Sequence, residues 1–257
     1  MSFATFLAVY AGAIGLLVGS YLNVVIHRLP QGLSTVTPRS RCPRCGAAIR
    51  ARDNVPVASW LLLGGRCRAC REPISARYPL IEGLVGALFA LAVVRFGAGA
   101  GAAVAGLLVA LLVALAGIDV DHLYLPDRIT LPGLALGLAL RPLAAWGSFW
   151  SALEGALAGA GVLLAFAGAW KLLKGVEGMG LGDVKMLGMI GAFLGPGGVA
   201  VTLVVAAASG AAVGLALLAR GHGTLETKLP FGLFLAAGGL VALYAGEPLV
   251  RSYLELL

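Results

Sequence analysis

Charge is scarce in this chain. Only 12% of its 257 residues are Asp, Glu, Lys or Arg, against 60% hydrophobic, whereas a soluble domain carries about 25% charged residues. With a mean hydropathy of +0.95, that shortage points to a polytopic membrane protein. Histidine is also rare. His27, His122 and His222 are too scattered for a histidine metal site, and no H-E-x-x-H occurs. No G-x-S-x-G is present. Ser20 and His27 stand two helical turns apart, about 10 Å by the helical rise, too far for a nucleophile and its base. A strand–glycine-turn–helix fingerprint for a nucleotide is missing as well. The net charge of +7 would suit nucleic acid, but ten of the 19 Lys and Arg fall between Arg28 and Arg77. That placement excludes nucleic acid as the partner and is the footprint of a cytosolic loop under the positive-inside rule.

The apolar runs supply about eight candidate spans, near 3–26, 80–96, 101–118, 129–146, 150–172, 184–196, 199–219 and 229–247, each judged against the roughly 20 apolar residues a bilayer requires. The first is read as a span and not a cleaved signal, because no basic stretch precedes it and no small-residue cleavage site follows. The sixth and seventh are separated by Gly195-Pro196-Gly197-Gly198 and could form one broken helix. Charge favours eight. With the N-terminus outside, the 28–79 loop, Arg128, Lys171, Lys174, Lys185, Arg220 and Lys228 fall inside, and only Arg95, Arg141 and Arg251 fall outside. The expected architecture is all-α and polytopic: a first helix over 1–27, a cytosolic tetracysteine domain over 28–79, and seven helices over 80–257. Glycine, at 38 residues, suits close helix contact in lipid, and "GALAGAG" at 155–161 is read as packing only.

All four cysteines lie in that loop as two C-x-x-C pairs, Cys42, Cys45, Cys67 and Cys70, with 21 residues between the pairs. Two such pairs close one tetrahedral four-thiolate site, the usual form of structural zinc. A reducing cytosol disfavours the alternative of two disulfides. Gly46 after the first pair is free to take a positive φ angle. Four ligands leave no open position, so the metal organises the loop and does not catalyse.

Two acidic segments share one membrane depth. The third span ends at "GIDVDHLYLPD" with Asp119, Asp121 and Asp127, and the sixth begins at "GLGDVK" with Asp183, 64 residues beyond Asp119. Ionisable groups bordering spans mark functional sites or polar cavities. Helix capping is the bland alternative for Asp183, but capping does not call for Gly178, Gly180 and Gly182 before it, which leave room for a substrate backbone. Asp127, following Pro126, is expected to cap the fourth span. Asp119 and Asp121 point about 200° apart on a helix, so only one can face Asp183, and spacing does not choose between them. A pair of carboxylates sharing one water is the arrangement that hydrolyses peptide bonds. A transporter with buried carboxylates is the rival reading; it predicts internal repeats, and none is evident.

The ordered blocks "GSYLNVVIHRLP", "CPRC", "DNVPVASWLLLGGRCRAC", "EPISARYPLIEG", "GIDVDHLYLPDRITLP" and "GMGLGDVKMLGMIGAFLG" resemble the bacterial type IV prepilin peptidases, also called leader peptidase/N-methyltransferases, over nearly the whole chain. The resemblance implies an aspartic endopeptidase of the bacterial inner membrane. Such an enzyme cuts short basic leaders from prepilins or pseudopilins on the cytosolic side. It then N-methylates the new terminus with S-adenosylmethionine. It implies Asp119 and Asp183 as the catalytic acids, Gly180, Gly182, Asp121 and Asp127 as supporting residues, and zinc on the four cysteines. The implied partners are the substrates, the lipid bilayer, and assembly proteins of the pilus or type II secretion machinery. Some members lack the cysteine loop and are peptidases alone; this chain keeps all four cysteines. The residues name no group for the methyl donor. Glu82, Glu177 and Asp121 are the acids expected to read a basic leader.

Overall fold

The computed structural model describes residues 2–144, 146–175, 180–221 and 228–255. Among them there is no β-strand, only isolated bridges between Arg41 and Ala48 and between Arg66 and Pro73. Eight helices follow in order: α1 (Phe3–Arg28), α2 (Ala58–Leu62), α3 (Arg77–Phe96), α4 (Ala100–His122), α5 (Asp127–Leu140), α6 (Phe149–Lys174), α7 (Leu181–Ala219) and α8 (Phe231–Leu254). Six of these, α1, α3, α4, α6, α7 and α8, are long and apolar enough to cross a membrane. The chain is therefore built as a multipass membrane protein. Its large exposed side chains, among them Phe6, Leu17, Leu157, Leu172 and Leu215, would be a liability in water but suit a hydrocarbon solvent.

The chain divides into two compact units, Met1–Ala114 and Leu115–Leu257. In the first, the Ser2 hydroxyl caps α1 by accepting from the Thr5 N–H at 3.2 Å. Gly15 and Gly19 of α1 lie so close to Val85, Gly86 and Glu82 of α3 that an added Cβ would sit about 2.8 Å from them. Small residues admit this approach. The Asn23 amide donates to the Gly19 and Tyr78 carbonyls, each at 3.3 Å, tying α1 to α3.

In the second unit, α7 packs against α5, α6 and α8. Gly155 and Gly159 of α6 meet the backbone of α7 at Gly191, Gly195 and Leu187, as read from the sequence. Within its 39 residues α7 departs from helical geometry at Gly195, with φ 74° and ψ −175°. A Cβ on Gly191 would lie 2.9 Å from Cγ2 of Val199, although eight residues of straight helix span about 12 Å. The helix thus folds back on itself at the break, where the sequence separates the sixth and seventh candidate spans. α5, with 14 residues, spans about 21 Å, less than the roughly 30 Å hydrocarbon core.

Arg141, read from the sequence as a charge on the outer side, is buried at 6% exposure. Its Nη1 donates to the Phe193 carbonyl at 2.7 Å, and the Trp146 indole donates to the same oxygen at 3.3 Å. Arginine and tryptophan thereby both donate to a carbonyl two residues before the break.

Candidate active site and metal centre

The two C-x-x-C pairs form knuckles with the same hydrogen bonds. The Cys42 N–H donates to the Ala47 carbonyl and the Gly46 N–H to the Cys42 carbonyl, both at 2.9 Å. In the second, Cys67 N–H donates to Glu72 at 2.8 Å and Arg71 N–H to Cys67 at 3.0 Å. Gly46 takes φ +72°, as its type allows, and Arg71 holds the matching position at φ +60°. All four sulfurs lie within 4.8 Å of one another, and Cys42 Sγ to Cys70 Sγ is 3.8 Å. Four sulfurs bound at 2.3 Å in a tetrahedron stand about 3.8 Å apart, so the donor set fits a four-coordinate metal ion. The backbone N–H groups of Cys45 and Arg44 hold the Cys42 thiol down at about 6. The Cys70 thiol is favoured as thiolate by the Glu72 backbone, yet burial and the neighbouring sulfurs push it up to about 12. Clustered thiols lose their protons together only when a cation neutralises them. Asp53 braces the second knuckle through a two-pronged ion pair with Arg68 at 2.7–3.0 Å, and the arginine holds its carboxyl below the usual range.

The second cluster is carried by α4, α7 and α8. Asp119, in the last turn of α4, is 5% exposed, and its Oδ2 accepts from the Leu233 N–H at 3.3 Å. That places the carboxylate at the N-terminal end of α8, where helix N–H groups and dipole favour negative charge. Asp183 stands in the first turn of α7, whose N-cap is Gly180, and is partly exposed. One leucine links them. The Leu125 Cβ lies 2.9 Å from where a Cβ on Gly182 would be, and its Cδ2 lies 3.0 Å from the equivalent point on Gly232. A Cβ on Gly232 would also sit 2.8 Å from the Asp119 Oδ2. The residues beside each aspartate therefore close on the same side chain, and Asp183 lies within electrostatic reach of Asp119.

Three expectations need correction. Asp127 is the first residue of α5 and does not cap it: Pro126 holds the cap position, with no side-chain hydrogen bond. Its carboxylate instead pairs with Lys185 Nζ at 2.7 and 2.8 Å, tying α5 to α7. Lys185 consequently turns toward α5. The space at Gly182 is filled by Leu125, so among the described glycines of this segment Gly180, exposed with nothing nearer than 3.9 Å to its missing Cβ, is the one that leaves room beside Asp183. Asp121 and His122 are exposed at the end of α4. Glu82 is buried and accepts from the Val57 N–H at 2.7 Å, so it is no surface reader of charge. Glu177, Gly178 and His222 lie outside the described residues. Leu125 and Gly232 were not singled out from the sequence; in apolar runs neither carries a local signal.

Known proteins match the chain along most of its length. The family model for the bacterial peptidase A24 N-terminal domain matches residues 13–96, and that of the type IV leader peptidase family matches 106–215. The chain is 45% identical to a prepilin leader peptidase/N-methyltransferase of Burkholderia pseudomallei, covering 93% of this chain and 85% of that protein. A protein of the same name from Aeromonas hydrophila is 41% identical, with 93% and 91% covered. The corresponding Pseudomonas aeruginosa protein is 38% identical, with 94% and 91% covered. No solved structure matches significantly. The chain belongs to the type IV leader peptidase family.

Proposed function

We propose that the protein removes the short basic leaders of type IV prepilins or pseudopilins and N-methylates the residue this exposes. The observation that carries the proposal is the convergence of Asp119 and Asp183 around Leu125, in a chain whose relatives are named for that activity. Asp119 and Asp183 act as one pair sharing a proton. The ionised member takes a proton from water, whose oxygen attacks the scissile carbonyl carbon. The protonated member donates to the amide nitrogen as the C–N bond breaks. Asp119 is oriented by the α8 N-terminus, and the gap at Gly180 admits an extended substrate backbone. Lys185 and Asp127 hold α7 and α5 in register, and exposed Asp121 offers negative charge to a basic leader.

Methylation follows on the freed amine. S-adenosylmethionine, when bound, would supply the methyl group, and the freed amine would give up one N–H proton to solvent as its lone pair takes that methyl. Cys42, Cys45, Cys67 and Cys70 would hold zinc, which supplies a structural crosslink with no open position. The protein sits in the bacterial inner membrane with about eight crossings, two of them from α7 on either side of Gly195 and one from α5, a short helix that crosses where the bilayer thins to meet it. The 28–79 loop and both aspartates face the cytosol, following the basic residues on that side. The functional division is a first helix over 1–27, a metal-binding domain over 28–79 and a peptidase over 80–257. Pilus or type II secretion assembly proteins are its further partners.

The test uses purified full-length protein and a synthetic prepilin. Asp119→Asn and Asp183→Asn should each lower cleavage by about 10³-fold or more, and retained cleavage in either variant sinks the pair. Adding S-adenosylmethionine should raise the product mass by about 14 Da per methyl group.

A further inference from the structure

In the first unit a groove of about 420 Å³ lies between α1 and the chain over 35–56. On the helix side it is lined by Leu17, Tyr21, Val24 and Arg28, whose spacings of four, three and four make one stripe along α1. Leu17 is 63% exposed and Tyr21 49%, so protein leaves the stripe uncovered. Leu17 stands 11 residues before Arg28, roughly 16 Å along the helix axis and about half of a roughly 30 Å hydrocarbon core. The groove therefore runs from the charged end of the span into one leaflet. On the loop side the Tyr21 hydroxyl donates to Thr35 Oγ1 at 3.1 Å. Arg28 Nη1 donates to the Ser34 and Pro38 carbonyls at 3.0 and 2.9 Å. These bonds hold the loop over the stripe. Val36, also in the lining, is 79% exposed, a cost in water and a contact for an acyl chain.

Charge selects the occupant. Arg28 and Arg39 line the groove and no Asp or Glu does. Among the described residues neither arginine forms an ion pair. A basic leader peptide would be repelled by both. A zwitterionic lipid would bring a cation of its own toward them. A molecule with an anionic head and an apolar tail satisfies the whole lining, because guanidinium groups bind phosphate oxygens with charge-assisted hydrogen bonds and the stripe offers hydrocarbon a dry contact. We infer that this groove holds an anionic phospholipid of the cytosolic leaflet, its phosphate at Arg28 and Arg39 and an acyl chain along Val24, Tyr21 and Leu17. The inference rests on the proposed placement of α1 across the bilayer with Arg28 on the cytosolic side, and it is independent of the roles given to Asp119 and Asp183.

The test uses full-length protein in phosphatidylcholine nanodiscs. Trace phosphatidylglycerol or phosphatidylcholine of identical chains is added, each with a photoactivatable group in its acyl chain. Phosphatidylglycerol should label peptides from residues 17–56 about 25-fold more than phosphatidylcholine, roughly fivefold for each arginine at the lipid surface. Arg39→Gln should cut that ratio to about fivefold, and Arg39→Lys, which keeps the charge, should hold it near the wild-type value. Arg66→Gln removes an exposed loop arginine outside the groove and should leave the ratio unchanged. Equal labelling by the two lipids in wild type overturns the site, because any exposed span collects lipid without regard to charge. Equal losses in Arg39→Gln and Arg66→Gln mean a general attraction to the loop and overturn it too. Displacement of the label by excess synthetic prepilin gives the groove to the substrate instead. The wild-type comparison of the two lipids decides even if a variant does not fold. Absence of label from residues 3–28 with both lipids defeats the placement of α1, and the site with it. Prepilin cleavage by the same sample reports separately on the aspartate pair.

Discussion

The four cysteines come from 29 consecutive residues, Cys42 to Cys70, and the hydrogen bonds shaping each knuckle run within six residues of chain. The two aspartates stand 64 residues apart, and the groups that place them, Leu125, Gly182, Gly232 and the Leu233 N–H, come from three segments. A site built from local chain needs little around it except its ligand. A site assembled from helix ends depends on every packing contact that sets those ends. The two should therefore fail in different ways.

Metal removal is the largest expected effect. So small a loop has little apolar core to replace a lost crosslink, and metal binding in such modules is coupled to folding. Stripping the ion with a chelator, or Cys42→Ser, should abolish hydrogen-exchange protection of the amides at Cys42, Gly46, Cys67 and Arg71, with the α7 amides as internal reference. Protection that survives in metal-free protein would break the comparison at its first term.

For the second cluster the backbone frame comes first. Gly195 occupies a region of φ and ψ that is essentially restricted to glycine, and a Cβ there would lie 2.5 Å from Arg141 Nη2. Gly195→Ala should cost about 3 kcal/mol, read as a lowered melting temperature in detergent. Gly161→Ala is the control, because its added Cβ meets nothing within 4 Å. Equal effects at both positions would mean that the break bears no strain-sensitive packing.

Gly232→Ala acts on the carboxylates directly. The new methyl would press on the Asp119 Oδ2 and on Leu125. A displacement near 1 Å at a reacting group costs about 10²-fold in rate. Prepilin cleavage should fall by about that factor, while metal content holds at the wild-type value. Unchanged cleavage would remove Gly232 from the site.

The same contrast explains what could be read in advance. The four-cysteine cluster was legible to the residue, including the positive φ at Gly46, because every determinant is local. The apolar segments and the break before Pro196 were legible as well, since hydropathy and glycine–proline runs are local signals. The aspartate pair was legible only by halves. Helical angle separates Asp119 from Asp121 but does not say which faces Asp183, and the choice came from resemblance. The burial of Arg141 was not legible, because sequence shows a charge near the end of a span and not the Phe193 carbonyl it meets 52 residues later. The Asp127–Lys185 pair was hidden for the same reason, and the space at Gly182 was given to substrate because nothing marks Leu125 as its occupant.

The smallest effect tests whether the metal site is as local as it looks. The knuckles share their hydrogen bonds but carry different residues at the left-handed position after the second cysteine, Gly46 at φ +72° and Arg71 at φ +60°. A left-handed conformation costs a residue with a Cβ about 1–2 kcal/mol, and glycine loses about 0.5–1 kcal/mol more chain entropy on folding. Arg71→Gly should therefore stabilise the folded loop by about 0.5 kcal/mol, a roughly twofold gain in apparent metal affinity. Gly46→Ala reverses the exchange, and with open space around its Cβ it should weaken affinity by a roughly similar factor. Competition with a chromogenic chelator measures both. Opposite signs are the outcome of two independent backbone turns closing on one ion; shifts of the same sign would show that groups beyond the knuckles decide the metal's hold.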